Sequence, residues 1–388
     1  MNNFIFENAT KTFFGKGCVK EYLNCLVSKY GNTVMLAYGG GSIKRNGVYD
    51  EVTGILADAG KTVVEFPGIM ANPTYAKVQE GAALAREKNV DVILGIGGGS
   101  VMDCCKAISM AAAYDGDIWN DFWARPGVVD FQPLPLGVIV TVAGTGSEMN
   151  GGAVITNHEQ KLKIGHVFGE NVYPKFSVMN PEFTFTLPKY QMISGIYDIM
   201  SHILEQYFSG TDDNTSDYIM EGLLRSLIHS ADIAVENPTD YEARSNIMWI
   251  ATWALNTLVA KGKTTDWMVH MLAQAVAAHT DATHGMTLAA VSMPYYRYIL
   301  PYGTAKFARY AVNVWGVDPE GKSETQVANE GLAAMEAWMK KLGLVMNITE
   351  LGATAGMLDG MVKSTLVMEG GYKVMDEKDI RTVLKASY

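Results

Sequence analysis

The sequence has 388 residues, of which 48% are hydrophobic and 19% charged, a composition typical of a globular protein and not of a disordered or collagen-like chain. The 41 acidic residues exceed the 31 basic ones, so the formal net charge is −10, and lysine and arginine form no run. We therefore expect neither nucleic acid nor an anionic membrane surface as a partner.

The cysteines and the apolar segments indicate where the protein works. Four cysteines, two of them adjacent, are too few for a disulfide framework. The N-terminal sequence has neither a basic leader nor a continuous apolar segment, and no apolar run approaches the roughly 20 residues of a membrane-spanning helix. We expect a cytoplasmic protein without a secretory signal or a transmembrane span.

The first part of the chain alternates strand-like and helix-like patterns. Apolar or β-branched runs of strand length occupy residues 33–38, 62–66, 90–96 and 137–142. Helical apolar spacing separates the first three of them, over residues 43–59 and 75–88. Such alternation predicts right-handed crossovers and a parallel sheet, as in a Rossmann-like α/β domain.

Helical patterns dominate after Pro188. They cover residues 191–208, 216–235, 243–258, 267–279, 288–299 and 330–342. We therefore predict an α/β domain over residues 1–187 and an all-α domain over residues 188–388. The cleft between two such domains is a common place for a ligand.

Two predicted strands are followed by the same Gly-Gly-Gly-Ser sequence, at residues 39–42 and 97–100. Glycine lets backbone N–H groups approach an anion, and the start of the following helix favours negative charge. Neither turn has the G-x-G-x-x-G pattern, and either one alone is better explained as a tight strand-to-helix turn. Their occurrence in one sheet favours a phosphate site. The candidate residues are Gly40, Gly41, Ser42, Gly98, Gly99 and Ser100.

Hydroxyl side chains follow the fourth predicted strand, at Thr141, Thr145 and Ser147. They are suited to bind a ribose or a nicotinamide amide, although a turn that satisfies its own backbone explains them as well. No acidic residue occurs within residues 37–44, where NAD sites place one, and this stretch offers Ser42 and Lys44 instead. The sequence thus favours NADP, with NAD still possible.

Four residues of the helical half have the chemistry of a metal site. Asp198 and His202 are four residues apart on a predicted helix and share one face, while His270 and His284 are fourteen residues apart. One carboxylate and three imidazoles suit a borderline divalent cation. Taken singly, each residue has a more ordinary explanation, such as a capping pair or a hydrogen-bonded core histidine.

Six ordered motifs resemble the iron-dependent alcohol dehydrogenase family, and most of all its branch of butanol dehydrogenases and broad-range aldehyde reductases. They lie at residues 13–17, 38–50, 95–107, 141–156, 195–208 and 270–285. The resemblance implies a dehydroquinate synthase-like architecture, in which a dinucleotide-binding domain precedes a helical domain that binds metal and substrate. It also implies that the metal and the nicotinamide face each other.

The resemblance assigns roles to individual residues. Asp198, His202, His270 and His284 correspond to the ligands of one divalent metal, Fe²⁺ or Zn²⁺. The implied cofactor-binding residues are Gly98, Gly99, Ser100 and Asp103 at the pyrophosphate, Thr141, Thr145, Ser147 and Asn150 near the nicotinamide, and Lys163 near the ribose.

One position departs from the family pattern and affects the proton path. Many members have a histidine four residues after the first of the fourteen-spaced pair, where this chain has Gln274. An amide forms hydrogen bonds but does not titrate, so we expect the proton to move through water, the ribose hydroxyls or His279. The predicted protein is a homodimeric NAD(P)-linked alcohol dehydrogenase or aldehyde reductase for small aliphatic substrates.

Two other functions stay open at this point. A lyase of the dehydroquinate synthase type uses NAD transiently, but it requires clustered Lys and Arg and a Glu/His/His metal site. A non-catalytic nucleotide-binding relative is favoured only by Gln274.

Overall fold

The computed structural model describes residues 1–210 and 213–388, and its internal contacts divide the chain into two compact units. The first unit comprises Glu7–Leu187, and the second comprises Pro188–Tyr388 together with Met1–Phe6. In the part of the chain that is described, no helix combines the length and the apolar character needed to span a membrane.

The first six residues belong to the helical unit, although the sequence pattern groups them with the α/β half. There the backbone N–H of Asn2 donates to the carbonyl oxygen of Gly262 at 2.8 Å. No periodic pattern in this short segment signals that contact.

The first unit is built from short strands and the helices that connect them. Its strands are β1 (Lys11–Phe14), β2 (Thr33–Tyr38), β3 (Thr62–Phe66), β4 (Val92–Gly97), β5 (Leu136–Val140), β6 (Gly152–Asn157), β7 (Leu162–Val167) and β8 (Phe176–Met179). Its helices are α1 (Cys18–Val27), α2 (Ser42–Arg45), α3 (Val48–Asp58), α4 (Tyr75–Glu87) and α5 (Gly99–Ala112), and a π-helix spans Trp119–Ala124.

Among these residues, six strands form one parallel sheet in the order β1-β8-β5-β4-β2-β3, and β6 pairs with β7 as an antiparallel hairpin. The central strands β4 and β5 are buried along their whole length. Their continuous apolar sequences follow from this burial, because the crossover helices of a parallel sheet cover both of its faces.

The connection of the strands places both glycine-rich turns at one point of the sheet. The chain passes from β2 outward to β3, and then crosses to β4 on the other side of β2. The sheet therefore has its topological switch point between β2 and β4, where ligands of open α/β sheets bind beyond the carboxyl ends of the strands.

The described residues of the second unit form helices joined by loops, and no strand is found among them. Its helices are α6 (Lys189–Tyr207), α7 (Thr215–Glu236), α8 (Tyr241–Leu255), α9 (Met268–Thr280), α10 (His284–Ile299), α11 (Thr304–Trp315), α12 (Glu324–Leu342), α13 (Leu358–Ser364) and α14 (Glu377–Ala386). Every residue of α6 from Met192 to Tyr207 is buried, so this helix is the centre of the unit.

The predicted class, an α/β part followed by an all-α part, is confirmed. Two details differ. The helical pattern of residues 43–59 forms two helices, because Gly47 between them has φ 82°, a left-handed conformation that ends α2 before α3 begins. The predicted helix 288–299 begins earlier, so that His284 is the first residue of α10.

Candidate functional site

Helix α6 carries two of the predicted metal ligands into the interior of the second unit. Asp198 and His202, one turn apart on this helix, are each 4% exposed, and His270 near the start of α9 is 6% exposed. Ligand atoms of these three residues lie within 4.8 Å of one another. The structure therefore brings together groups that the sequence leaves 72 residues apart.

The distances around Asp198 test whether these side chains fit a cation. Its Oδ1 atom lies 3.7 Å from His202 Nε2, 3.8 Å from His270 Nε2 and 3.6 Å from His284 Nε2. These separations are too long for hydrogen bonds. They are close to the about 3.4 Å that separates ligand atoms around a tetrahedral cation with bonds of about 2.1 Å. The four donor groups fit a divalent metal ion.

Helix packing determines where the fourth of these side chains lies. A Cβ atom on Gly285 would lie 2.0 Å from the carbonyl oxygen of Ser194, so α10 reaches α6 closely only because residue 285 has no side chain. His284 precedes this contact, and its side chain is 25% exposed. It is the most accessible of the three histidines.

A carboxylate and an indole surround the imidazole of His270. Glu205 is wholly buried and accepts from the backbone N–H of His270 at 2.9 Å, and it is also hydrogen-bonded to His270 Nδ1. The ring of Trp267 contacts those of His202 and His270 edge-on, with centroids 6.1 and 5.3 Å apart. Trp267 has φ 70°, which is unusual for a bulky residue, and strained backbone of this kind is enriched at functional sites.

In the first unit, the predicted coenzyme residues follow the neighbouring strands β5, β4 and β2. The Thr141 N–H donates to the Gly97 carbonyl oxygen at 2.9 Å, which joins the end of β5 to the turn after β4. A Cβ atom on Gly99 would lie 2.3 Å from Thr145 Cγ2. Close packing of the two turns therefore requires glycine at residue 99, whether or not an anion binds there.

Three of the predicted coenzyme residues lie in a buried polar network around Lys106, which is wholly buried. Lys106 Nζ donates to Ser147 Oγ at 2.9 Å, to Asn150 Oδ1 at 3.1 Å and to the Gly152 carbonyl oxygen at 2.8 Å. Ser147 Oγ in turn donates to Asp103 Oδ1 at 2.6 Å. Burial lowers the pKa of Lys106 and raises that of Asp103, and each opposes the shift of the other.

The remaining predicted coenzyme residues have separate surroundings. Ser100 Oγ donates to the carbonyl oxygen of Ala71, and Lys163 Nζ donates to Asn72 Oδ1 at 2.8 Å. Ser42 and Gly40 are exposed after β2. The ammonium group of Lys44 lies 4.3 Å from the ring centre of Tyr49.

The two halves of the chain match two family models in sequence. Residues 9–181 match the model described as iron-containing alcohol dehydrogenase, and residues 192–388 match the C-terminal model of the Fe-containing alcohol dehydrogenase family. The chain belongs to the iron-containing alcohol dehydrogenase family. It is therefore an oxidoreductase, and the resemblance stated from the sequence motifs is confirmed.

Relatives from the branch named by that resemblance align over most of this family member. NADH-dependent butanol dehydrogenase A of Clostridium acetobutylicum is 39% identical over the whole of both chains. The NADPH-dependent aldehyde reductase YqhD of Escherichia coli is 34% identical over 94% of this chain and 92% of its own. The crystal structure of NADH-dependent butanol dehydrogenase A from Thermotoga maritima superposes with a TM-score of 0.94 at 36% identity, covering 100% of this chain and 99% of that one.

Gln274, where many members of the family have histidine, lies on α9 one turn after His270. Its side chain is 5% exposed, and its Oε1 atom has no hydrogen-bond partner among the described residues. His279 follows His270 by nine residues, or two and a half turns, which places it on the opposite side of the helix. Its Nδ1 atom is hydrogen-bonded to the Ala275 carbonyl oxygen, and its Nε2 atom faces Gly360 of α13.

Sequence reasoning missed Glu205 and Lys106. Glu205 follows Asp198 and His202 at helical spacing, and Lys106 follows Asp103 by three residues, so both lie on the faces already singled out. This spacing is the signal that was available. Their hydrogen-bond partners come from distant segments, and the sequence does not reveal them.

Proposed function

We propose that this family member is a metal-dependent, NAD(P)-linked alcohol dehydrogenase or aldehyde reductase for small aliphatic substrates. The observation that carries the proposal is the position of three imidazole nitrogens, 3.6–3.8 Å from one oxygen atom of Asp198. The names of the relatives from Clostridium acetobutylicum and Escherichia coli support the substrate class.

In this proposal Asp198, His202, His270 and His284 hold one divalent cation, and the donor set suits Fe²⁺ and Zn²⁺ equally. Such a cation supplies Lewis acidity toward the oxygen of an alcohol or an aldehyde. The buried side chains Asp198, His202 and His270 exclude water from most of the cation's surroundings. The partly exposed His284 marks the side on which a substrate has access.

The coenzyme is assigned to the first unit, residues 7–187. The glycine-rich turns after β2 and β4 would hold the pyrophosphate, with α5 contributing the positive end of its dipole. The Lys106 network fixes the turn from Thr141 to Asn150, so that Thr141 and Thr145 present their hydroxyls to a nicotinamide riboside. A nicotinamide coenzyme supplies or accepts the hydride.

NADP remains the proposed coenzyme, on the support of Ser42 and Lys44. The structure adds one acidic residue that the sequence analysis did not consider, Glu65 on β3. Its carboxylate accepts from the hydroxyl of Tyr38, the last residue of β2, at 2.5 Å. If Lys44 binds a 2′-phosphate, Lys44→Ala raises the KM for NADPH and leaves that for NADH unchanged. Equal or better catalysis with NADH in the unmodified protein contradicts the preference.

For the proton we propose a path through water, the ribose hydroxyls or His279, with Gln274 as a hydrogen-bonding group. The unused acceptor of Gln274 supports its role, whereas the helical position of His279 opposite His270 favours the other two routes. Replacing His279 by alanine tests this choice. If the pH–rate profile is unchanged, His279 is not on the proton path. If the variant loses one limb of the profile, His279 is the group that transfers the proton.

Two further proposals concern the setting of the protein. Cys18, Cys104 and Cys105 are buried free thiols and Cys25 is an exposed one, which supports a reducing cytoplasm as the location of the protein.

The edge strand β1 of the parallel sheet supports a homodimer formed by strand pairing. Light scattering that reports a monomer at working concentrations contradicts the dimer.

A coenzyme balance with a simple aldehyde tests the main proposal. The metal-stripped protein, reloaded with Fe²⁺ or Zn²⁺ and mixed with butyraldehyde, is expected to oxidise one NADPH or NADH per butanol formed. The stripped protein is expected to be inactive. Product formation without net coenzyme consumption would establish the lyase instead, and absence of turnover across an aldehyde panel would establish a non-catalytic relative.

A further inference from the structure

We propose that Glu205 is a positioning residue that fixes the tautomer and the orientation of His270 for metal binding. This inference rests on the proposed metal centre and extends it to a residue outside the ligand set. It follows from three hydrogen bonds to one buried carboxylate and from the way in which helix α9 begins.

Both oxygen atoms of Glu205 are held by donors. Oε1 accepts from Ser201 Oγ at 2.7 Å and contacts His270 Nδ1, and Oε2 accepts from the His270 backbone N–H at 2.9 Å. Glu205 is 0% exposed, so no water competes for these positions. The side chain thus holds His270 through both its backbone and its ring.

The start of α9 explains why a carboxylate from another helix is needed there. The residue before the helix, Trp267, provides no side-chain cap, and its left-handed backbone leads directly into the first turn. His270 is the third residue of α9, so its N–H is one of those left without a partner inside the helix. Glu205 on α6 supplies that partner, and its negative charge is favourable at a helix N-terminus.

The same contact decides which nitrogen of His270 is available to a metal. Because a carboxylate is only an acceptor, Nδ1 must carry the proton. Nε2 is then the unprotonated ring nitrogen, the form that binds a metal, and it is the atom that lies 3.8 Å from Asp198 Oδ1. A carboxylate that holds the other ring nitrogen also increases the basicity of a ligating histidine.

The backbone connects Glu205 to the segment that leads into α9 as well. The N–H of Asp266 donates to the Glu205 carbonyl oxygen at 2.8 Å, just before Trp267. Glu205 therefore holds the segment that precedes α9 with its main chain and the first turn of α9 with its side chain. We infer that it sets the position of His270 relative to Asp198 and His202, which share its own helix.

Metal affinity of the folded protein tests the inference independently of activity. We expect Glu205→Gln to weaken the binding of Zn²⁺ or Co²⁺ by about 10- to 100-fold, as is usual when the partner of a ligating histidine loses its charge. The visible absorption bands of the Co²⁺-loaded protein are expected to shift. Affinity within two-fold of the unmodified protein, with an unchanged spectrum, would overturn the inference.

Glu221→Gln is the matched control, because Glu221 is also a buried carboxylate of the helical unit. It accepts from Tyr207 at 2.7 Å, from Arg309 at 2.6 Å and from Asn313 at 3.0 Å, and none of these three partners is a proposed metal ligand. We expect a loss of stability with unchanged metal affinity. If both variants lost metal affinity equally, the effect of Glu205→Gln would be explained by general destabilisation, and the proposal would be overturned.

A measurement on the unmodified protein covers the case in which Glu205→Gln does not fold. Nitrogen-15 NMR of labelled histidines, with His270 assigned by its disappearance in His270→Ala, is expected to show the Nδ1–H tautomer before metal is added. The Nε2–H tautomer would overturn the inference. If the unmodified protein binds no metal, the proposed function fails first, whereas tight binding together with the wrong tautomer refutes only the role of Glu205.

Discussion

Asp266 is a buried carboxylate that makes the stability of the helical unit depend on pH. It is 0% exposed, accepts from Tyr295 Oη at 2.5 Å and lies near the charge of Glu205. Burial raises its pKa to about 7, and the neighbouring Glu205 adds to this shift. Between about pH 4 and pH 7 the folded protein holds a proton that the unfolded chain has released, so this group's contribution to stability falls as pH rises.

We therefore expect Asp266→Asn to gain stability relative to the unmodified protein as pH increases. Asparagine keeps an acceptor for Tyr295 and does not ionise. The difference in free energy of unfolding should shift in favour of the variant by up to about 4 kcal/mol between about pH 4 and pH 8. Urea unfolding of both proteins with a chelator present measures it. A difference that is constant over this range contradicts the assignment.

Lys106 is expected to be essential to the turn that follows β5. Lys106→Met removes the ammonium donor from Ser147 Oγ, Asn150 Oδ1 and the Gly152 carbonyl oxygen, and it removes the nearby positive charge from Asp103. Breaking such a buried charged network costs about 3–5 kcal/mol. Urea unfolding measures this cost, and titration calorimetry should show weaker NADPH binding. Lys88→Met is the control, since that side chain is 50% exposed and its ion pair with Glu87 lies at the surface, where loss costs under about 1 kcal/mol.

At the level of residues, the sequence indicates which side chains are candidates for a functional site. It predicts less well which other residues those side chains contact. Asp198 and His202 could be placed on one helix face because helical spacing is local. The partners of Lys106 come from a turn some 40 residues later, and Glu205 is held by a helix that begins at Met268. Asp103 and Ser147, both predicted to contact the coenzyme, are hydrogen-bonded to each other, which their spacing does not reveal. Such contacts depend on tertiary packing, which spacing does not encode.

The approach of α10 to α6 is the packing contact on which the position of His284 depends. Gly285→Ala would place a methyl group 2.0 Å from the Ser194 carbonyl oxygen, and backbone atoms cannot move aside without shifting a helix. We expect α10 to move outward and His284 with it. The variant should lose about 1–3 kcal/mol of stability and bind metal more weakly. Thermal unfolding and metal titration measure the two effects.

Gly222→Ala is the matched control for this substitution. Gly222 lies inside α7, and an added Cβ atom would meet nothing within 4 Å. Because alanine favours a helix over glycine, this variant should gain about 0.5–1 kcal/mol and bind metal normally. A stable Gly285→Ala with normal metal affinity would show that the position of α10 does not control the site.

Secondary structure is predicted well where the apolar pattern is long, and poorly where a single residue determines the end of an element. The six long helical patterns all correspond to helices, whereas Gly47 divides the predicted helix 43–59 and His284 begins α10 earlier than its apolar pattern does. Strands β6 and β7 were not predicted, and neither were β1 and β8, each four residues long. The place of β1 and β8 in the sheet comes from their pairing with each other and with β5, which is a non-local property.

For the whole molecule, the predicted metal ligands and the predicted coenzyme-binding residues lie in separate compact units. Asp198, His202, His270 and His284 lie in the unit of Pro188–Tyr388, and the glycine-rich turns and Lys106 lie in that of Glu7–Leu187. The two binding functions should therefore be separable by mutation, with Lys106→Met weakening coenzyme binding while the metal content stays normal.

The account depends most on a single cation held by one carboxylate and three imidazoles, and metal stoichiometry tests this directly. The unmodified protein should bind one divalent cation per chain, measured by elemental analysis after dialysis. Asp198→Ala, His202→Ala, His270→Ala and His284→Ala should each lower the affinity by at least about 100-fold, while NADPH binding followed by fluorescence is retained. Full metal content and turnover in any one of these variants would contradict the account.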